Sequence, residues 1–524
     1  MLHRRTVRGI KTLDALTGTT NSFSIMVGMT HEYRQCPRGP VAGERAMIND
    51  YQRFIERKCD QCRKLDSVEP ELYTKYDVKK GLRDSKGNGV VVGMTSVSHV
   101  DGTVMIDGVK TPCEGMLHYR GYDIRDLTGG FLNKRFGFEE AAYLLLFGEL
   151  PTAAELAEFK KYLDAERKLP VTFTRDIIMK AASKDIMNSI TRSILFLASY
   201  DKKPLDNSLE NVLRQCIHLI GVFPMLTAYS YHAYNHYLND ESMYIHKPDP
   251  NLSTAENILR MLRPDRSYTY LEATVLDLAL VLHMEHGGGN NSTFTTRLVT
   301  SAGSGTYDVM AAAMCSLKGP KHGGANLKVM DMIADIKKHV KDTTDEKELR
   351  KYLSHILDKK AFDHQGLIYG MGHAVYTKSD PRAVVFRSFV EQLAVEKQRQ
   401  ADFQLYATIE RIAPELILAK RPNATSVCAN VDFYSGFVYD MLDIPHEMYT
   451  PLFAIARIVG WSAHRMEELI TSNKIMRPAY VNASSFREYV PLDERGSKRW
   501  GSSSPAPGRS RSCATSRGRS PRAT

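Results

Sequence analysis

Apolar residues recur at helical spacing over most of this chain, and no stretch alternates strands with helices as a doubly wound sheet requires. Val329, Met332, Ile333, Ile336 and Val340 repeat along one helix face. Thr152 with Glu155, and Ser253 with Glu256, are capping-box pairs that open further helices. Thr450-Pro451 reads as another start, with Thr as the cap and Pro at the first helical position. The exception lies near His99–Val109, where Asp101-Gly102 separates short segments rich in Val, Met and Ile and predicts a β-hairpin turn. The expected class is mainly α, with one small hairpin toward the N-terminal side.

A chain of 524 residues has room for two or three domains and a large core. No run of 18 apolar residues occurs; the richest stretch, Leu271–Met284, is broken by Glu272 and Asp277. The net charge of +10 suggests nucleic-acid binding until it is located. Seven Lys or Arg and no acid lie between Gly496 and Thr524, and Arg4, Arg5, Arg8 and Lys11 crowd the other end. The body between them is near neutral, which suits a small-molecule enzyme and predicts no nucleic-acid or membrane partner. Eight scattered cysteines do not make a disulfide framework, and Cys59 and Cys62, a lone C-x-x-C, read as surface thiols in a reducing compartment.

Residues 1–65 show little periodicity and read as a poorly ordered extension. Their basic start lacks an apolar signal core, and Asp14 interrupts a transit-peptide pattern, so the cytoplasm is expected, with the mitochondrial matrix as the alternative. Residues 496–524 are Ser, Arg, Pro and Gly with little to bury, and read as a disordered basic tail.

Four polar clusters interrupt the helical pattern: 283–290 (HMEHGGGN), 319–326 (GPKHGGAN), 370–376 (GMGHAVY) followed by Asp380-Pro381-Arg382, and 430–436 (NVDFYSG). Glycines permit tight turns and close backbone approach to a ligand. Three clusters bring a histidine and the fourth a carboxylate. His322 stands just before a helix, where the positive dipole end disfavours imidazolium. A neutral ring there can hydrogen-bond a carbonyl that is becoming an enolate. His283 and His286 are three apart and do not match H-E-x-x-H, so a zinc site is not expected.

Together the strings EHGGGNNST, GPKHGGAN, GMGHAVYTKSDPR, NVDFYSGF, LFAIARIVGW and KIMRPAY, in this order, resemble the citrate synthase family over about Glu71–Arg495. The resemblance implies a two-domain helical fold: a large domain over 66–322 and 430–495, and a small one over 323–429 that closes on the substrates. It implies that Asp432 removes a methyl proton from acetyl-CoA, that His322 stabilises the enol or enolate, and that His373 protonates the oxaloacetate carbonyl as the carbon–carbon bond forms. By the same resemblance His286, Arg382, Arg457 and Arg477 hold oxaloacetate and citrate, with Arg477 reaching the neighbouring subunit's site in a homodimer. Arginine forks suit a dianion. Leu367, Ile368, Gly370 and Gly372 would line the CoA adenine, and Lys378, Lys420 and Arg421 would meet its phosphates. No metal and no cofactor beyond the CoA substrate is implied. Two departures touch only the phosphate contacts: Thr377 stands where several members have a basic residue, and 421–429 is longer than in some relatives. The alternative within the family is 2-methylcitrate synthase, which uses propionyl-CoA; one methylene is worth only about 1–3 kcal/mol of discrimination. A non-catalytic binding protein would not need the base Asp432.

Overall fold

The computed structural model describes residues 42–84, 89–131, 134–421, 426–472, 474–484 and 486–495. The expected disordered tail, 496–524, and the first 41 residues lie outside them. The described residues fall into two units, Val91–Ala479 and a second that takes those before Val91 and after Ala479.

In the larger unit the helix Tyr449–Thr471 is buried along nearly its whole length and includes Trp461, Arg457 and Arg465, among the largest fully enclosed side chains. It packs on Asn291–Ser301, Leu209–Leu238, Gly137–Phe147 and Tyr270–His283. Leu209–Leu238 is long and apolar enough to cross a membrane by length and composition, yet 78% of its most apolar window is buried inside the fold. An apolar surface on all sides is what a central core helix needs. Pro381–Glu396 packs on both Val431–Met441 and Tyr270–His283, and Ala325–His339 also lies on Val431–Met441. These contacts gather the four polar clusters.

The capping boxes at Thr152/Glu155 and Ser253/Glu256 form as read from the sequence. Val329, Met332, Ile333 and Ile336 are the buried face of Ala325–His339, with Val340 buried just past its end. Thr450 is not a cap: the helix begins one residue earlier, at Tyr449, after a short 3-10 turn at His446–Met448. The Thr450 hydroxyl instead donates to the Gly323 carbonyl at 2.9 Å, a long-range bond that sequence spacing does not reveal.

The sheet is antiparallel, with β1 at Ser98–Ile106, β2 at Val109–Tyr119 and a short β3 at Tyr122–Asp123. The hairpin turn lies at Asp107-Gly108, with positive φ at both residues, not at Asp101-Gly102. Asp101-Gly102 is a register shift inside β1, where the Asp101 carboxylate accepts from the Gly102 and Thr103 amides. Gly102 is needed because a β-carbon there would stand 2.6 Å from the Val375 carbonyl. The hairpin therefore lies against the His373 segment.

In the other unit, Ala42–Leu65 is a helix, against the expectation of irregular chain. From Asp50 to Leu65 every side chain except Ile55 is exposed, so no apolar stripe was required. Pairs such as Gln52–Glu56 and Asp60–Arg63 support it locally. Cys59 and Cys62 are exposed thiols on this helix.

Candidate active site

His322 stands in the turn between the helices Thr306–Leu317 and Ala325–His339. Gly323 makes the turn possible: its amide donates to the Leu317 carbonyl at 2.9 Å, and a β-carbon would come within 2.4 Å of that oxygen. The ring is half-buried, with Nε2 3.0 Å from Ser292 Oγ and 3.4 Å from the Ser292 amide, which can only donate. That arrangement places the ring proton on Nδ1. Burial, joined by the positive Arg457, pulls the His322 pKa down to about 4. The neutral ring expected from the helix dipole is thus enforced mainly by desolvation.

His373 follows two glycines in left-handed conformation, Gly370 (φ +80) and Gly372 (φ +90). Its Nδ1 accepts from the Val375 amide at 3.0 Å and the Tyr376 amide at 3.1 Å, so the neutral ring carries its proton on Nε2. Tyr376 stacks on His373 at 4.7 Å between centroids, and His286 meets His373 edge-on at 5.0 Å. His286 Nε2 is 3.2 Å from Tyr376 Oη. His286 is buried, and burial together with Arg382, His373, Arg457 and His322 holds its pKa well below the usual value.

Asp432 lies in the first turn of Val431–Met441. Asn430 caps that helix, accepting from the Asp432 amide at 3.0 Å while its own amide donates to the Gly372 carbonyl at 2.8 Å. Gly372 N–H bonds to the Cys428 carbonyl, and Asn430 N–H to the Gly370 carbonyl. A backbone bridge thus joins the His373 loop to the Asp432 helix. Asp432 as a whole residue is half-buried. Its pKa rises to about 6: burial and the negative Asp380 push up, against the pull of Arg382 and Arg457.

Arg457 is wholly buried; its Nε donates to the His283 carbonyl at 2.8 Å, and its Nη1 has no partner among the described residues. A buried donor without an acceptor costs free energy, so this N–H is poised for an anion. Burial pulls its pKa down to about 10 despite Glu285. Arg382, also buried, is clamped by Asp380 through Nε at 3.0 Å and Nη2 at 2.7 Å, and feels Asp432. Asp432, His286, His322, Arg382 and Arg457 thus influence one another electrostatically, with His373 in ring contact with His286.

The remaining expected residues are not gathered in this way. Arg477 is exposed in the segment after Tyr449–Thr471. Leu367 and Lys378 are exposed, Ile368 is buried, and Lys420 is ion-paired with Asp358. Arg421 is exposed at the end of the helix Gln400–Lys420.

Sequence reasoning gave no role to Ser292, Tyr376, Asp380 and Asn430, which contact His322, His373, Arg382 and Asp432. Each stands inside or next to a glycine-histidine or Asp432 cluster, and that proximity was the available signal.

Residues 85–479 match the family described as citrate synthase, C-terminal domain. The chain is 34% identical over 409 residues to the citrate synthase of Synechocystis sp., covering 78% of this chain and 92% of that protein. It is 32% identical over 381 residues to the 2-methylcitrate synthase of Shewanella oneidensis, covering 72% and 92%. Among solved structures, citrate synthase from Pyrobaculum aerophilum gives a TM-score of 0.64 at 28% identity, covering 79% of this chain and 95% of that one. The ternary complex of carboxymethyl coenzyme A and oxaloacetate with citrate synthase from Thermoplasma acidophilum gives 0.64 at 26% identity, covering 80% and 99%. The chain belongs to the citrate synthase family.

Proposed function

We propose that the protein condenses acetyl-CoA with oxaloacetate and water, giving citrate and free CoA. The observation that carries this reading is Asp432, whose carboxyl pKa burial raises to about 6 against the pull of Arg382 and Arg457. A base of that strength can take a methyl proton once the thioester carbonyl is polarised. His322, neutral with Nδ1–H, donates to that carbonyl oxygen as it gains charge. His373, through Nε2–H, donates to the oxaloacetate keto oxygen while the enol carbon attacks. His286, Arg382 and the open Arg457 Nη1 take up the oxaloacetate carboxylates, which also draws charge away from the reacting carbonyl. Water then hydrolyses the citryl thioester, making the sequence irreversible. No metal and no cofactor beyond the CoA substrate enters this scheme.

The same reading takes residues 323–429 as a small domain that closes on the bound substrates, shielding the enolate from water. It takes the working unit as a homodimer in which Arg477 serves the neighbouring subunit's site, and the cytoplasm as the compartment. Leu367–Gly372 would receive the adenine, and Lys378, Lys420 and Arg421 the phosphates.

The similarity to a 2-methylcitrate synthase favours propionyl-CoA as a second substrate. Release of free CoA with oxaloacetate and either thioester tests both readings. The expected result is oxaloacetate-dependent release with the higher kcat/KM for acetyl-CoA. A higher value for propionyl-CoA would reassign the substrate, and no oxaloacetate-dependent release with either would overturn the function.

A further inference from the structure

Beside the site runs a chain of buried charges that the condensation scheme does not use. Glu285 precedes His286, and its Oε1 accepts from Ser98 Oγ at 3.0 Å, the Gly287 amide at 2.5 Å and His464 Nε2 at 2.9 Å. His464 is wholly buried on the helix Tyr449–Thr471. On its other edge, Arg297 donates to Nδ1 through Nε at 3.1 Å and Nη2 at 2.7 Å. A guanidinium carries only donors, so Nδ1 must present its lone pair and the ring proton must sit on Nε2. The ring orientation is thereby fixed, since a flip would set N–H against N–H.

Arg297 is held in turn by Glu467 and, at 2.9 Å, by Glu468. Glu467 also accepts from the Ser96 amide and Thr95 Oγ1, both at 2.6 Å. One helical turn before His464, Gly460 leaves the room this needs: a β-carbon would stand 2.4 Å from Glu285 Oε2. Everything in this network converges on Glu285, and Glu285 grips the 285–287 turn in which Gly287 has φ +84 and from which His286 projects.

An ion network this deep is a poor device for stability alone, because desolvation offsets its attraction and apolar packing would serve as well. Resting on the condensing reading of the site, we propose that His464 is a positioning residue for the keto acid. By linking Arg297 to Glu285, it fixes the His286 turn in the orientation that meets Tyr376 and binds oxaloacetate.

The test compares His464→Phe with His464→Gln in the full chain, reading oxaloacetate Kd by calorimetry and both KM values by CoA release. Glutamine can donate to Glu285 and accept from Arg297; phenylalanine can do neither. Small misplacements of a binding group are costly, so Phe should raise the oxaloacetate Kd and KM about tenfold, with the acetyl-CoA KM within about twofold. Gln should recover most of that loss. A folded Phe variant that binds oxaloacetate like the wild type, or equal losses in both variants, would overturn the proposal. If His464→Phe does not fold, Glu285→Gln, which keeps the shape and removes the charge, takes its place; an unchanged oxaloacetate Kd there overturns it equally. Failure of the wild type to bind oxaloacetate at all would instead overturn the reading of the site, and this inference with it.

Discussion

The two ends of the proposed site are built differently. At the oxaloacetate end, Arg382 and Arg457 are buried, His286 is buried, and each has named partners that fix its orientation. At the end assigned to CoA, Leu367, Lys378, Lys420 and Arg421 are exposed, and Lys420 is engaged with Asp358. The difference teaches where the chemistry is held. Groups that on the proposed reading would handle developing charge are desolvated and preorganised, so that their donors count for more than in water. The side chains that would only tether the CoA phosphates, Lys378, Lys420 and Arg421, are left solvated, where any single contact counts for little.

That contrast can be broken from its strong end first. Asp432→Asn removes the base but keeps the shape, and should lower kcat a hundredfold or more, as loss of a general base does. Calorimetry on the same variant should show oxaloacetate still binding. Next, Arg457→Leu removes a buried donor whose charge-assisted hydrogen bonds are worth about 1.5–3 kcal/mol. The oxaloacetate KM should rise roughly tenfold to a hundredfold. An unchanged KM would make the buried end no different from the exposed one.

The pH profile sharpens the same contrast. The Asp432 pKa is raised to about 6, so the carboxylate is protonated, and idle as a base, below that value. The kcat/KM of the wild type should therefore fall about tenfold per pH unit below about 6 and be flat just above it. His322, near 4, stays neutral across this range and adds no second limb there. A profile flat down to pH 4.5 would remove Asp432 from the base role. Smallest of all, Lys420→Ala should change the acyl-CoA KM by less than about threefold, because its charge is exposed and already paired. A larger rise would mean that solvated side chains hold substrate as firmly as the buried ones do.

Legibility in the sequence follows the same division. Periodic faces such as Val329–Ile336 and caps such as Thr152 with Glu155 depend on near neighbours, and they form as read. The hairpin turn was misplaced because Asp-Gly serves a bulge as readily as a turn, and only pairing across the strands separates the two. Thr450 looked like a cap, yet its hydroxyl serves the His322 turn, 127 residues away. At the site, glycine-flanked histidines marked the candidate groups, whereas the bond by which Asn430 ties the Asp432 helix to the His373 loop spans 58 residues and shows only in the fold. The Glu285–His464–Arg297 chain was hidden for the same reason: its links span up to 179 residues and exist only once the helices assemble.

Isotope retention shows whether Asp432, His322 and His373 together make a carbon–carbon bond. Acetyl-CoA with a fully deuterated methyl group is mixed with oxaloacetate and the protein in ordinary water, and the products are weighed by mass spectrometry. Citrate whose new arm carries CD2 is expected, one deuteron having been lost to Asp432, and almost none of it with Asp432→Asn. Trideuterated acetate with oxaloacetate left unconsumed would show simple thioester hydrolysis and contradict the account.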